Sequence, residues 1–296
     1  MKKQISLVTS YVSLKETTRI QEEISKLGYI PNLINVAKAN FVLGGDLKSP
    51  VLSGFNNLNS EYIIARGIFK YLKETAYLLS QMRLQGIKVF DNGFISNPYS
   101  INKVFDILKL SLNGLPVPKT VFTREGFAEF KELSLKTFKY PFIVKRVNLG
   151  KGAGVYLVHN EKELDSIIKD AELKGKKSKN FIAQQFIDYE HDLRVLLIGD
   201  KAFCMKRIPG ESEFRANFSL GGSVELFDLD DESKKLALKA RDVVGLTVAG
   251  VDILIDKKGN KYLLEVNHTP GFIGMEQATG ENIGRYFVET ALKKAL

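Results

Sequence analysis

Apolar residues in this chain fall into short blocks of four to six, separated by stretches where they recur at three- and four-residue spacing. Residues 4–9, QISLVT, form a β-type run. Residues 15–27 carry a helical pattern that Gly28 is placed to end, and residues 30–35 resume an extended one. Residues 59–65 and 89–91 are further strand candidates, with a helix at 71–85 between them. This alternation predicts a small parallel sheet with flanking helices. The segment YIIARG sets Arg66 at the C-terminal end of a strand, where open α/β sheets bind ligands. A helix cap or a surface arginine is an equal reading.

The turn signals Asp91-Asn92-Gly93 and Asn97-Pro98 put a boundary near residue 94. Beyond it the pattern predicts a helix over 100–112, capped by Ser100 with Lys103 in its first turn, and another over 126–135. A strand over 141–145 ends on Lys145, followed by a glycine-containing loop at 148–154, a strand at 155–158 and a helix at 162–173. Strands at 181–186, 192–198, 201–207, 250–256 and 261–266 and helices at 233–244 and 283–294 complete the reading. No internal repeat or low-complexity segment interrupts it. The chain thus reads as α/β, with modules at 1–94 and 95–296.

Composition narrows the class. A length of 296 residues suits two or three modules, and 44% hydrophobic with 26% charged residues is ordinary for a globular protein. No run approaches the ~18 apolar residues of a membrane span. The single cysteine, Cys204, rules out an internal disulfide framework, fits a cytoplasmic location and reads as a small buried hydrophobe. The net charge of +9 suits phosphates, an acidic partner surface or nucleic acid. The densest basic run, Lys174-Gly175-Lys176-Lys177-Ser178-Lys179, has no interleaved aromatics and reads as a solvated loop.

Three stretches could carry chemistry. In VKRVNLGKGAGVYLV, Gly150, Gly152 and Gly154 let the backbone approach a phosphate that Lys145 could also reach. A hairpin that uses its glycines only to turn explains the same residues. In AGVDILID and YLLEVNHTPG, strands paired through a short turn would bring Asp252 and Glu265 to one site, with Asn267 on the same side as Glu265. Two carboxylates and an amide oxygen are hard ligands suited to Mg²⁺ on nucleotide phosphates. The alternative is a carboxylate salt-bridged to Lys or Arg, with Asn267 as a turn residue. In CMKRIPGESEFRANFSLGG, Arg207, Arg215 and Asn217 could stabilise charge during phosphoryl transfer, or simply face water. The three histidines form no convincing zinc cluster, and His268 reads as a loop imidazole held by its turn.

In combination and in this order, these stretches resemble the ATP-grasp superfamily, and within it the RimK-like carboxylate–amine ligases. The resemblance implies a pre-ATP-grasp α/β domain at 1–94, then a two-lobed ATP-grasp domain with a small lobe at about 113–183 and a catalytic lobe at about 184–296. INKVFDILKL resembles the family helix that supplies a nucleotide lysine, here Lys103, and PFIVKRVNLGKGAGV its phosphate lysine and glycine loop, Lys145 and Gly150, Gly152 and Gly154. IAQQFID resembles the adenine hinge, implicating Gln184, Gln185, Phe186 and Ile187, and HDLRVLLIGD the segment whose Asp192 holds the ribose side. FRANFSLGG is similar to the phosphate and metal loop, giving Arg215, Ala216 and Asn217, and the last two strands supply Asp252, Glu265 and Asn267 as metal ligands. Implied cofactors are ATP and Mg²⁺, two ions with Mn²⁺ as substitute. Implied partners are an amino acid, glutamate first, and an acidic peptide, protein or small-molecule carboxylate. No nucleic acid or membrane partner is implied; a homodimer or homotetramer is. Arg207 and Arg215 are the implied catalytic residues. Gln185 stands where many relatives carry Glu, and Ile273 and Gln277 depart from the pattern after Pro270-Gly271. Another incoming amino acid, or an ATP-binding regulatory protein, is the alternative.

Overall fold

The computed structural model describes residues 3–42, 51–52, 60–98, 102–147, 154–208 and 223–296. Its first layer grows from the alternating N-terminal blocks. β1 (Gln4–Thr9) leads into α1 (Lys15–Lys26) and β2 (Ile30–Asn35), and β3 (Phe41–Val42) pairs with β4 (Val51–Leu52) as a separate ribbon. β5 (Ser60–Ala65), α2 (Leu72–Leu84) and β6 (Lys88–Phe90) follow, giving a parallel sheet in the order β2-β1-β5-β6. Gly28 leaves α1 with φ +86°, a conformation that favours glycine. Period-2 alternation sorts the strand residues between two cores: Val8, Ile63 and Val89 pack under α2, and Ile5, Leu7 and Ile64 pack under α1.

α3 (Lys103–Leu112) is capped by Asn102, whose Oδ1 accepts from the Phe105 amide at 2.9 Å. The helix therefore starts at Lys103 and not at Ser100, which lies outside the described residues. β7 (Thr120–Val121), α4 (Phe127–Thr137), β8 (Phe142–Arg146), β9 (Val155–Val158), α5 (Glu161–Leu173) and β10 (Phe181–Gln185) come next. They build an antiparallel sheet in the order β7-β10-β8-β9, and Phe142, Val144 and Phe181 pack with Phe130 and Leu164 from its helices.

The third sheet holds the longest strands. β11 (Tyr189–Ile198), β12 (Lys201–Ile208), β13 (Ser223–Leu226), α6 (Asp231–Val244), β14 (Val248–Asp256) and β15 (Lys261–Asn267) give the antiparallel order β13-β12-β11-β14-β15. One face, with Leu193, Val195, Leu197, Cys204, Val251 and Ile253, is covered by α3 and α6. The opposite face is divided. At one end Leu196, Ile198 and Val248 join Ile5, Leu7 and Phe90 in a core shared with the parallel sheet. At the other end the same alternation delivers Asp192, Arg194, Arg207, Asp252 and Glu265 in place of apolar residues.

The segment after Pro270-Gly271, to which the sequence pattern assigned no element, contains α7 (Ile273–Thr279) before α8 (Ile283–Lys294). Phe287, Val288 and Ala291 of α8 enter the shared core, and Leu296 exchanges two backbone hydrogen bonds with Val89 at 2.8 and 3.2 Å. Asn92, in the left-handed region at φ 49°, fixes the contact between sheets. Its Oδ1 accepts from the amides of Thr247 and Val248, and its Nδ2 donates to the carbonyls of Val248 and His268.

Candidate active site

Residues directly opposite each other in antiparallel strands share a face, so register assembles the charged cluster. Arg194 on β11 faces Asp252 on β14, which faces Glu265 on β15. One step away, Asp192 on β11 faces Arg207 on β12. Gly250 faces Asn267 on the same side of the sheet, so the expected pairing of Asp252 with Glu265 is present. The register shifts by one residue just past Asp252, a bulge that ends the regular pairing beside the cluster.

Asp252 is held by two guanidinium groups. Arg194 Nε lies 2.8 Å from its Oδ1 and Arg207 Nη2 lies 3.2 Å from its Oδ2. Arg207 Nε also donates a short hydrogen bond to Asp192 Oδ1. Burial pushes the Asp192 carboxyl up to about 7, with Asp252 adding to the rise and the Arg207 and Arg194 charges opposing it. Burial works against the Arg207 charge, but Asp252 and Asp192 together hold it above the ordinary arginine range. Glu265 is more open, with Lys103 Nζ 3.5 Å from Oε2. Lys145 is buried, and burial followed by repulsion from Lys103 pushes it down to about 8, against the attraction of Glu265 and Asp252. Lys103 and Lys145 thus share the field of one carboxylate pair.

The salt-bridged alternative for Asp252 is therefore what the side chains display, and Asn267 also takes its turn role by accepting from the Thr269 amide at 3.2 Å. The donor set nevertheless fits a hard cation. Asp252 Oδ1, buried and ion-paired, has no aligned hydrogen bond among the described residues, so a lone pair is available beside Glu265 and the Asn267 amide. Among the described residues no group of three or more His, Cys, Asp or Glu could hold a metal alone. A cation here would complete its shell with substrate oxygens.

The other candidate residues are placed as follows. Gln184 is buried and its Nε2 donates to Thr120 Oγ1 at 2.8 Å; Gln185 is exposed, with its amide on the Lys119 carbonyl at 2.9 Å. Phe186 is half-buried and Ile187 buried just beyond β10. Gly154, at φ +67°, offers its carbonyl to the Arg146 amide at 2.9 Å, closing β8 onto β9. Gly150, Gly152, Arg215, Ala216 and Asn217 lie outside the described residues. His268 is not a loop imidazole held by its own turn: it is buried, 3.0 Å from Asp106 Oδ2 of α3 and edge-on to Phe69. Arg194 went unrecognised in the sequence, although it stands two residues after Asp192 and so had to share its face.

This three-sheet arrangement is the fold of ATP-grasp ligases. PsnB complexed with its minimal precursor superposes with a TM-score of 0.73 over 99% of both chains at 20% identity. The macrocyclase MdnC bound with precursor peptide MdnA, from Microcystis aeruginosa MRC, does so with a TM-score of 0.69 over 98% of this chain and 100% of that one, at 14% identity. Residues 101–290 match the RimK-like ATP-grasp domain, and the chain belongs to that family. The probable alpha-L-glutamate ligase of Aliivibrio fischeri (strain MJ11) is 29% identical over 296 residues, covering 99% of this chain and 96% of that protein. Its counterpart in Methanococcoides burtonii is 28% identical over 289 residues, covering 97% and 94%. The chain is accordingly an enzyme of the ATP-dependent carboxylate–amine ligase class. Among the described residues no helix is long and apolar enough to cross a membrane.

Proposed function

We propose that the chain is an ATP- and Mg²⁺-dependent ligase that joins an amino acid to a carboxylate through an acylphosphate. The observation that carries this reading is the charged end of the third sheet. There Lys103, Lys145, Arg194 and Arg207 converge on the Asp252–Glu265 rung. Cations fixed around paired carboxylates suit a triphosphate carrying its own metal ion, and suit neither a hydrolytic nucleophile nor a zinc site. Residues 1–94 would serve as the pre-ATP-grasp domain, and about 113–183 and 184–296 as the two lobes that enclose the nucleotide.

In the first step an acceptor carboxylate oxygen attacks the γ-phosphorus, forming the acyl C–O–P linkage as the bond to the β-phosphate oxygen breaks. In the second step an amine attacks the acyl carbon, and the C–N bond forms as phosphate leaves and the nitrogen gives up its proton. Lys103 and Lys145 hold phosphate oxygens, and Arg207 stabilises charge on the transferring group from its place beside Asp252. Arg194 keeps Asp252 aimed. Asp252, Glu265 and Asn267 would hold Mg²⁺, which supplies neutralisation of phosphate charge. Arg215, Ala216, Asn217, Gly150 and Gly152 would complete the phosphate contacts, and Gln184, Gln185, Phe186, Ile187 and Asp192 the nucleoside side.

Two comparisons support the substrate classes. Relatives along nearly the whole chain carry the name probable alpha-L-glutamate ligase, which favours glutamate as the amine. The solved PsnB and MdnC complexes contain precursor peptides, which favours a peptide carboxylate as acceptor. ADP release measured over pairs of amino acids and acidic peptides, with mass spectrometry of the product, tests the reading. The expected result is ADP release that needs both substrates and a product heavier by one amino-acid residue. ATP binding with no turnover for any pair would instead make the chain a regulatory nucleotide-binding protein.

A further inference from the structure

α3 carries Lys103, Asp106 and Leu110 at i, i+3 and i+7, the spacing of one helix face, and that face meets β15 and the core of the third sheet. Leu110 joins Val251, Leu263 and Val266 in that core, as an apolar stripe requires. One turn earlier the stripe carries a carboxylate. Asp106 and Leu110 are the buried residues of α3, so its first turn is anchored by Asp106 and by no buried apolar side chain. Asp106 Oδ2 lies 3.0 Å from His268 Nε2, both side chains are buried, and Oδ1 has no hydrogen-bond partner among the described residues. A carboxylate accepts, so Nε2 is the donor of this bond. A carboxylate out of water is costly, and one held by a single directional bond fixes an angle that apolar packing would leave free.

His268 is in turn held on its other sides. Its carbonyl accepts from Asn92 Nδ2 at 3.0 Å, and its ring stands edge-on to Phe69 with 6.4 Å between centres. It directly follows Asn267, the last residue of β15. Asp106 therefore ties the first turn of α3 to the end of the strand that carries Glu265 and Asn267. Lys103, three residues before Asp106, reaches Glu265 Oε2 at 3.5 Å. The same helix turn thus meets the same strand end twice, through Lys103 and through Asp106. The helix itself does not favour the ammonium, because Lys103 stands at the positive end of the helix dipole. Its aim at the rung needs a second fixed point, and the Asp106–His268 bond supplies one.

We propose that Asp106 and His268 are positioning residues: their buried bond sets the first turn of α3 against the end of β15, so that Lys103 meets the nucleotide phosphates at the Asp252–Glu265 rung. Neither residue touches the nucleotide, and both act through Lys103. The assignment rests on the ligase reading for Lys103 as a nucleotide lysine.

A double-mutant cycle on the full chain tests this, with the Kd for ATP read by calorimetry without Mg²⁺ so that metal binding does not enter. Asp106→Leu keeps the position filled and makes no bond to His268. It should weaken ATP binding by at least about fivefold when Lys103 is present and by less than about twofold in a Lys103→Ala background. Loss of a negative charge would by itself favour the polyanion, so a weakening reports position rather than charge. Asp106→Asn keeps an acceptor for Nε2 and should bind ATP within about twofold of wild type. Equal weakening in both backgrounds is what a merely structural contact gives, and it overturns the proposal, as does an Asp106→Leu protein that binds ATP like wild type. If Asp106→Leu does not fold, His268→Leu removes the same bond from the other side and should show the same dependence on Lys103. Weakening independent of Lys103 there counts against the pair. The cycle needs no turnover, which separates this proposal from the ligase reading. Coupling between Asp106 and Lys103 sustains the pair even if no substrate releases ADP. An additive cycle in a chain that does release ADP overturns the pair alone, and a wild-type chain that binds no ATP overturns both.

Discussion

Asp252 and Glu265 are neighbours on one rung, yet their surroundings separate what their removal does. Asp252 is buried between Arg194 and Arg207, so Asp252→Ala leaves two guanidinium groups short of a counter-charge and should cost about 3 kcal/mol in urea unfolding. Glu265 is about one-third exposed (35%) and has Lys103 only at 3.5 Å, so Glu265→Gln should change stability by less than about 1 kcal/mol. Both should lower kcat by about a hundredfold or more. A fully active Glu265→Gln enzyme would remove the rung from the chemistry. Lys145 gives a pH signature. Held down to about 8, it is charged below that pH and loses its charge above it. ATP affinity measured without Mg²⁺ should therefore fall as pH rises past about 8, by up to about tenfold per pH unit. Lys145→Arg, which keeps its charge, should give a flat profile from about pH 7 to about 9.5, and a flat wild-type profile would contradict this role.

Among the secondary-structure elements, α1 is joined to the C-terminal helices by a buried charge network. Arg19 Nε reaches Glu276 Oε1 at 2.6 Å, Arg19 Nη1 makes a short bond to Glu23, and Asn282 Nδ2 donates to Glu23 Oε1 at 3.3 Å. Burial opposes the Glu23 charge, but donors from Lys26, Arg19 and Asn282 hold its carboxyl at about 2 against an ordinary 4.5. A depressed folded pKa adds stability above the unfolded value and loses it as pH falls through the folded one. Glu23→Gln should accordingly be less stable than wild type by about 1–3 kcal/mol at neutral pH. The gap should close between about 4.5 and about 2 on acid titration, and a gap constant across that window would contradict the network.

The same elements show what the sequence made legible. Strands β14 and β15 announce themselves through apolar runs in which only Asp252 and Glu265 stand out, but the register of their turn alone would set Asp252 opposite Leu264, and the one-residue bulge brings Glu265 there. The glycine at position 28 and the alternation around it mark α1 and the parallel sheet equally well. α7 is invisible locally because Gly274 and the preceding Pro270-Gly271 spell a loop, and the helix is held from outside. Glu276 Oε2 accepts from the Gly284 amide at 2.7 Å, and Arg19 reaches Glu276 from α1. The start of α3 differs from the expected one because Ser100 and Asn102 both suit an N-cap by residue type, and it is Asn102 whose Oδ1 accepts from the Phe105 amide. The face of Arg194 was legible from its place two residues after Asp192, but its partner Asp252, 58 residues on, and the His268–Asp106 pair, 162 residues apart, depend on register and long-range contacts that no local pattern carries.

For the whole molecule, the division of one sheet face organises the function. Its apolar half is packed against α8 and the parallel sheet through Leu196, Ile198, Val248 and Phe287, while its charged half faces Lys103 and Lys145. Asn92 ties the parallel sheet to β14 and to the His268 carbonyl, and Arg66 does the same at Pro270. The N-terminal sheet thereby sets the turn that leaves the Asp252–Glu265 rung. The proposed reaction transfers phosphate to a carboxylate at this charged half before the amide forms. Supplying a glutamyl peptide labelled with ¹⁸O in its carboxylates, together with ATP and the amine, tests it directly. The inorganic phosphate released should carry one ¹⁸O atom per turnover. Unlabelled phosphate accompanying ADP, or release of AMP and pyrophosphate in its place, would contradict the account.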